Sequence, residues 1–172
     1  NNGRVSVVFF GDGATEEGVL YESMNFAALK NLPVIFICEN NFYSVYSHIS
    51  KSQPENQILK RASAFLPSYS VDGSNAIDVY LKSKKAINNA RNKKGPSFME
   101  CKVYRWRDHA GAGDKLLAEY RNMEEYKKWI KKCPLDYLKN KIKKELTNKI
   151  NTKIDIEIRK AFKYAIKAPF PN

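Results

Sequence analysis

Two short apolar runs, Val5–Phe10 and Leu32–Cys38, bracket a stretch in which apolar residues recur three and four positions apart. Short continuous apolar runs bounded by Gly or Pro predict buried strands, here over 4–10 and 33–39. The stretch between them predicts a helix over 15–30, with Val19, Leu20, Met24, Ala27 and Ala28 on or near one face and Phe26 beside them. Strand, helix, strand is the unit of a parallel sheet with right-handed crossovers. Residues 40–67 read as a long loop region with a helix near Asn56–Ala64, and a short strand ends at Val71-Asp72-Gly73. Ile77, Val79, Tyr80, Leu81, Ala86, Ile87 and Ala90 give an apolar face to a helix over 75–92, which Gly95-Pro96 stops. Ser97–Tyr104 is a further strand, and the Gly- and charge-rich residues 105–115 form a loop. The last third predicts helices at 123–132, 135–146 and 153–167, with Pro134 as a break and Pro169 as a stop. The expected fold class is therefore α/β: a parallel sheet flanked by helices, with a helical C-terminal part over 116–172 following the sheet and loops of 1–115.

In parallel sheets, ligands sit at the carboxyl ends of the strands. Gly11-Asp12-Gly13 follows the first predicted strand and Asn40-Asn41 follows the second, with 26 residues between Gly13 and Asn40. One carboxylate and one or two amide oxygens thus converge where a helix begins. Such hard oxygen donors suit Mg²⁺, which keeps some phosphate and water ligands. A helix N-terminus with Gly13 beside it suits a phosphate. Taken singly, Gly-Asp-Gly and Asn-Asn also read as ordinary turns. Of the two asparagines, only one can point at Asp12, because side chains alternate at a strand end.

The pairing of Gly11-Asp12-Gly13 with Asn40-Asn41 resembles the thiamine-diphosphate-binding motif. The longer words Gly11–Gly18 (GDGATEEG) and Ile37–Tyr43 (ICENNFY), then Val71-Asp72-Gly73, Gly95-Pro96 and Tyr104-Arg105 followed by His109, occur in the order seen in one family. It is the alpha subunit of the thiamine-dependent first component of 2-oxo acid dehydrogenase complexes (pyruvate, branched-chain and acetoin types). The resemblance runs over nearly the whole chain. It implies the thiamine-diphosphate-binding fold and the cofactors thiamine diphosphate and Mg²⁺. It also implies that Asp12 and Asn41 ligate the metal through side chains and Tyr43 through its carbonyl, while Gly11, Gly13 and Ala14 line the diphosphate. His109 aligns with a His that lies near the cofactor and helps acyl transfer to lipoyl groups. The implied activity is oxidative decarboxylation of a 2-oxo acid, or acetoin cleavage. The implied assembly is an α2β2 heterotetramer with a beta subunit, served by a lipoyl-bearing acyltransferase component. The chain also departs from the pattern. Ala110 follows His109 where animal members carry a phosphorylated Ser, so that regulation is not expected, and Arg107-Asp108 make the loop more charged. A mobile Gly-rich segment there is expected to order only with cofactor and partner. His48 reads as a surface loop residue.

The first strand begins almost at once and there is no initiator Met, so the chain is expected to be the C-terminal portion of one such domain. No apolar run approaches the length of a transmembrane helix and no signal-peptide pattern opens the chain. The three cysteines, at 38, 101 and 133, make no paired framework, and a reducing cytoplasm fits them. Charge is uneven: residues 1–81 hold five Lys/Arg and eight Asp/Glu, and residues 82–172 hold 25 and 10. The net of +12 leaves open a basic nucleic-acid-binding module, but the lysines are spread along predicted helices as solvated faces do. A transketolase-like ketol-transferring enzyme is a further alternative within the thiamine class.

Overall fold

The computed structural model describes residues 3–54, 57–111, 113 and 117–170. It falls into two compact units, residues 1–133 and 134–172. The first is built on four parallel strands, β1 (Ser6–Gly11), β2 (Val34–Asn40), β5 (Ser68–Asp72) and β6 (Ser97–Lys102), in the order β1-β2-β6-β5. A two-stranded antiparallel hairpin, β3 (Tyr43–Ser44) with β4 (Ser47–His48), follows β2 and has no counterpart in the sequence reading. Helices α1 (Gly18–Leu29), α2 (Gln57–Ser63) and α3 (Ala76–Arg91) connect the strands. Asn56, the first residue of the helix expected at 56–64, lies outside the described residues.

Side-chain alternation sorts the sheet into two faces. Phe36 and Cys38 of β2 and Phe98 of β6 pack with Met24 and Ala27 of α1 and Ile58 and Ala62 of α2. Their neighbours Ile35, Met99 and Cys101 pack on the opposite face with Val71 and with Ala86 of α3. Both faces of the central strands β2 and β6 are thus buried, as their unbroken apolar runs require. Burial also pushes both strand thiols up, Cys101 to about 11, so these cysteines are inert apolar fillers.

Several expectations need correcting. β1 is not buried: among the described residues it is an edge strand bonded only to β2, and Val7, Val8 and Phe9 are exposed. Val19 and Phe26 of α1, and Ile77, Tyr80 and Leu81 of α3, are exposed as well, because each helix is apolar around more of its circumference than the sheet can cover. The first crossover helix also starts later than expected. Asp12–Glu16 is a 3-10 turn, Glu17 is extended and α1 begins at Gly18, so no α-helix N-terminus abuts Gly13.

After β6 come α4 (Leu117–Tyr120) and α5 (Met123–Ile130). Asn122 caps α5, its side chain accepting from the N–H groups of Glu124 and Glu125 at 2.9 and 3.2 Å. The second unit holds α6 (Pro134–Lys139) and α7 (Lys144–Lys167). Pro134 opens α6 rather than merely interrupting, a position where its missing N–H costs nothing. The break falls at 140–143, and α7 then runs through the expected gap at 147–152. Neither Pro nor Gly occurs from 135 to 168, so no residue type marked either boundary. Among the described residues, no helix is long and apolar enough to cross a membrane.

Candidate functional site

Asp12 leaves the carboxyl end of β1 and opens the 3-10 turn. Thr15 locks that turn by donating from Oγ1 to the Asp12 carbonyl at 2.6 Å. The Thr15 hydroxyl accepts from Gln53 Nε2 at 2.7 Å, and the Thr15 carbonyl accepts from the Tyr21 hydroxyl at 2.6 Å. Arg61 donates to Gln53 in turn and lies 3.5 Å from Glu16. The main chain carrying Asp12 is therefore fixed from three elements before any ligand is considered. Gly13 also makes room for the hairpin: a Cβ there would meet Ser44 Oγ at 2.5 Å, so β3–β4 closes directly over this glycine. Around Gly11, by contrast, the space is open.

Asp12 is 3 % exposed, and its carboxylate accepts a hydrogen bond from the Asn41 N–H at 3.3 Å. The ends of β1 and β2 thus meet through these two residues. Burial raises the proton affinity of Asp12 above its ordinary value; its own N–H, that of Asn41, and the charges of Arg105 and His48 lower it without cancelling the burial. Among the described residues, no basic side chain forms an ion pair with it. A desolvated carboxylate held by main-chain N–H groups and without a basic ion-pair partner among the described residues is chemically suited to a cation.

The two asparagines differ. Both polar ends of the Asn40 side chain are engaged: Nδ2 donates to Glu100 Oε1 at 2.7 Å and Oδ1 accepts from the Phe42 N–H at 3.0 Å. Asn41, half-buried, accepts from the Tyr43 N–H at 3.1 Å through Oδ1, turning the chain into β3. Phe42 and Val45 both take positive φ, 68° and 55°. For a β-branched residue such as Val45 that backbone is strained. Arg105 secures the strained turn, donating from Nη2 to the Val45 carbonyl at 2.9 Å.

The Tyr43 ring is buried in an aromatic and charged cluster that also contains Tyr104, Tyr120 and Arg121. Tyr43 and Tyr104 hydroxyls both donate to Glu125 Oε2, at 2.9 and 3.2 Å. Burial, with the Glu125 carboxylate beside them, pushes both phenols up. The guanidinium of Arg121, 5 % exposed, sits 5.2–5.5 Å from the rings of Tyr43, Tyr104 and Tyr120. It donates to the carbonyls of Arg105 and Arg107, the latter at 3.1 Å. Trp129 stacks on Tyr104 at 5.6 Å. A buried cation caged by tyrosines thus holds the main chain of the loop that carries His109.

His109 is exposed. Its Nδ1 lies 2.9 Å from Arg105 Nη1, and its ring stands edge-on to Tyr46 at 6.4 Å. Residues 112 and 114–116, part of the loop expected to order late, lie outside the described residues. His48 is not an isolated surface residue: it belongs to β4, is half-buried, and stands edge-on to Tyr43 at 5.0 Å. It lines a cleft of about 460 Å³ with Asn40, Gln53, Glu100, Lys102 and Glu125. Arg121, Glu100 and Glu125 carried no motif that could single them out. A lone Arg in a Lys-rich segment becomes legible only when the fold brings three tyrosines around it.

Among the described residues, no three His, Cys, Asp or Glu side chains are grouped to hold a metal. Any metal at Asp12 must draw its remaining ligands from amide, carbonyl, phosphate or water oxygens, the donor set of Mg²⁺ rather than of Zn²⁺.

The whole chain, residues 1–172, matches the family described as "Dehydrogenase E1 component". It is 35 % identical over 178 residues to the pyruvate dehydrogenase E1 component subunit alpha of Porphyra purpurea, covering 98 % of this chain and 50 % of that protein. The chloroplastic alpha-3 subunit of the same component from Arabidopsis thaliana is 36 % identical, with 98 % and 40 % covered. The alpha subunit of acetoin:2,6-dichlorophenolindophenol oxidoreductase from Bacillus subtilis is also 36 % identical, with 98 % and 52 % covered. The chain thus spans about half the length of the relatives it matches. The match extends from the Asp12 turn through the His109 loop to the last helix, and the chain belongs to the dehydrogenase E1 component family.

Proposed function

We propose that this chain is the Mg²⁺- and diphosphate-holding part of an E1 alpha subunit that decarboxylates a 2-oxo acid such as pyruvate and passes the acyl unit to lipoyl groups. The observation that carries this reading is the buried Asp12 carboxylate, joined to the Asn41 N–H at the ends of adjacent parallel strands and lacking a basic partner among the described residues. Asp12 and the Asn41 side chain would ligate Mg²⁺ together with the Tyr43 carbonyl. Gly11, Gly13 and Ala14 would line the diphosphate. Two features support the choice of Asn41: both polar ends of the Asn40 side chain are engaged, and of the two asparagines it is Asn41 whose main-chain N–H meets Asp12. When bound, thiamine diphosphate supplies the carbanion chemistry. The residues of this chain would hold its metal and diphosphate at the Asp12 turn, and His109 would serve it from the loop that Arg105 and Arg121 secure. The parent assembly is an α2β2 heterotetramer with a beta subunit, working with a lipoyl-bearing acyltransferase. Its three free thiols suit a reducing compartment such as the cytoplasm.

The test is calorimetry of Mg²⁺-dependent thiamine diphosphate binding by the assembled protein. Asp12→Ala should abolish binding, and Asn41→Ala should weaken it about tenfold or more, with Asn40→Ala weakening it less. Unchanged affinity in Asp12→Ala, or the reverse ranking of the asparagines, would overturn the assignment. Reduction of lipoamide by the wild type separates this activity from transketolase-like ketol transfer, which leaves lipoamide untouched.

A further inference from the structure

Arg105 donates to three groups at once. Nη2 reaches the carbonyl of strained Val45 at 2.9 Å and the Tyr120 hydroxyl at 3.4 Å, and Nη1 lies 2.9 Å from His109 Nδ1. A guanidinium has five N–H donors and no acceptor, and it stays charged at any pH the protein tolerates. The bond to His109 therefore has one direction: Arg105 donates and Nδ1 accepts. An imidazole nitrogen that accepts carries no proton, so the proton of neutral His109 lies on Nε2. The ring stands edge-on to Tyr46, and the main chain beneath Arg105 is pinned by buried Arg121.

We propose that Arg105 is a positioning residue that sets the tautomer of His109, so that His109 presents Nε2–H as a hydrogen-bond donor rather than a basic nitrogen. The partner this suits is an electron-rich oxygen or sulfur: a phosphate oxygen, or the sulfur that receives the acyl unit. Arg105 is well placed for this role, because its charge is also felt by Asp12 and the same side chain locks the hairpin over the metal-side turn. The assignment of a site to His109 rests on the function proposed above; the tautomer does not.

The chain contains its own reference. His48 Nδ1 accepts from the Ser50 backbone N–H at 3.2 Å, so His48 also carries its proton on Nε2, fixed by a group that Arg105 does not touch. The experiment is ¹⁵N spectroscopy of histidine-labelled protein in its assembled form, with the two rings assigned through His48→Gln and His109→Gln. In the wild type above the titration range, His109 should show a single tautomer with a bare Nδ1 and a protonated Nε2. In Arg105→Met, the single form should give way to a mixture of both tautomers while His48 is unchanged. Because loss of the Val45 bond could unseat the hairpin, Arg105→Lys provides a second reading. It keeps the charge but has one ammonium for three scattered acceptors, and it should also lose the single His109 form. A wild-type His109 with its proton on Nδ1 overturns the proposal, as does an unaltered single tautomer in either Arg105 variant that retains the wild-type His48 signals. Thiamine diphosphate calorimetry on the same samples separates the two readings: absence of cofactor binding in the wild type refutes the proposed function and leaves the tautomer result standing.

Discussion

Polar groups at the carboxyl ends of β2 and β6 are tied to one another, whereas the outer side of β1 and α1 leaves large apolar groups in water. In the first region, Asn40 is bonded to Glu100, and Tyr43, Tyr104, Glu125 and Arg121 are joined by hydrogen bonds and ring contacts. In the second, Phe9 is 63 % exposed and Phe26 55 %. The contrast teaches that hydrophobicity alone did not decide what this chain buries. β1 is as apolar as β2, but β2 has a strand on each side and helices on both faces, whereas β1 has one neighbour. The polar region, with fewer apolar atoms, is the more constrained because an unpaired buried polar group is costly.

The strongest way to sharpen the comparison is at the boundary between the polar region and the core. Phe98 of β6 is 1 % exposed, packs against Phe10 at 6.1 Å between centroids, and lies two residues from Glu100. Phe98→Ala should cost about 3–5 kcal/mol in denaturant unfolding. Arg121→Met should follow at about 2–3 kcal/mol, since it keeps bulk among the three tyrosines but removes the donors to the Arg105 and Arg107 carbonyls. Its local mark should be faster amide exchange at residues 105–109. Protection there equal to wild type would mean that the cage is not what holds the loop.

Asp12 offers a test with a sign. Its carboxyl is raised in the folded protein from the ordinary 3.8, mainly by burial, so between that value and the raised one the native state binds more protons than the unfolded chain. Stability without ligand therefore falls as pH rises through that window, and above it the ionised, buried Asp12 is a standing cost. Asp12→Asn should remove the pH-dependent loss and melt above wild type at pH 7 in the absence of Mg²⁺. Addition of Mg²⁺ and thiamine diphosphate should reverse the order, stabilising the wild type alone. Identical melting of both proteins at pH 7 without ligand would remove Asp12 from the cost side of the comparison.

These differences also mark what could be read in advance. The strand–helix–strand order, the parallel sheet and the meeting of Asp12 with the Asn40-Asn41 pair at neighbouring strand ends follow from apolar runs and spacing, which local residue types encode directly. The hairpin at 43–48 depends on Val45 at positive φ, a conformation its residue type disfavours, and on an arginine 60 residues away that holds it. Arg121, Glu100 and Glu125 act through partners brought from other elements, and the break at 140–143 has no Gly or Pro to signal it. The exposed faces of β1 and α1 were unreadable for the converse reason: burial depends on which neighbours a strand receives, and an apolar run does not record that.

The smallest expected effect tests the other side of the contrast. Phe26 sits on α1 two residues from Met24, which is fully buried, and one from buried Ala27. A helix turns 100° per residue, so these neighbours face the sheet while Phe26 faces outward. If this face is in water in the chain as folded, replacing its aromatic ring removes little packing. Gln is also a better helix former than Phe, which offsets the lost contacts. Phe26→Gln should therefore change unfolding free energy by less than about 0.5 kcal/mol, as surface substitutions do. Met24→Ala on the same helix should cost about 2–5 kcal/mol. The two positions lie within one helical turn, so helix length and local context are shared and the main difference is the burial of the side chain. A loss above about 1.5 kcal/mol in Phe26→Gln would mean that this face is covered in solution, and the division between a tied polar region and an open apolar one would fail at α1.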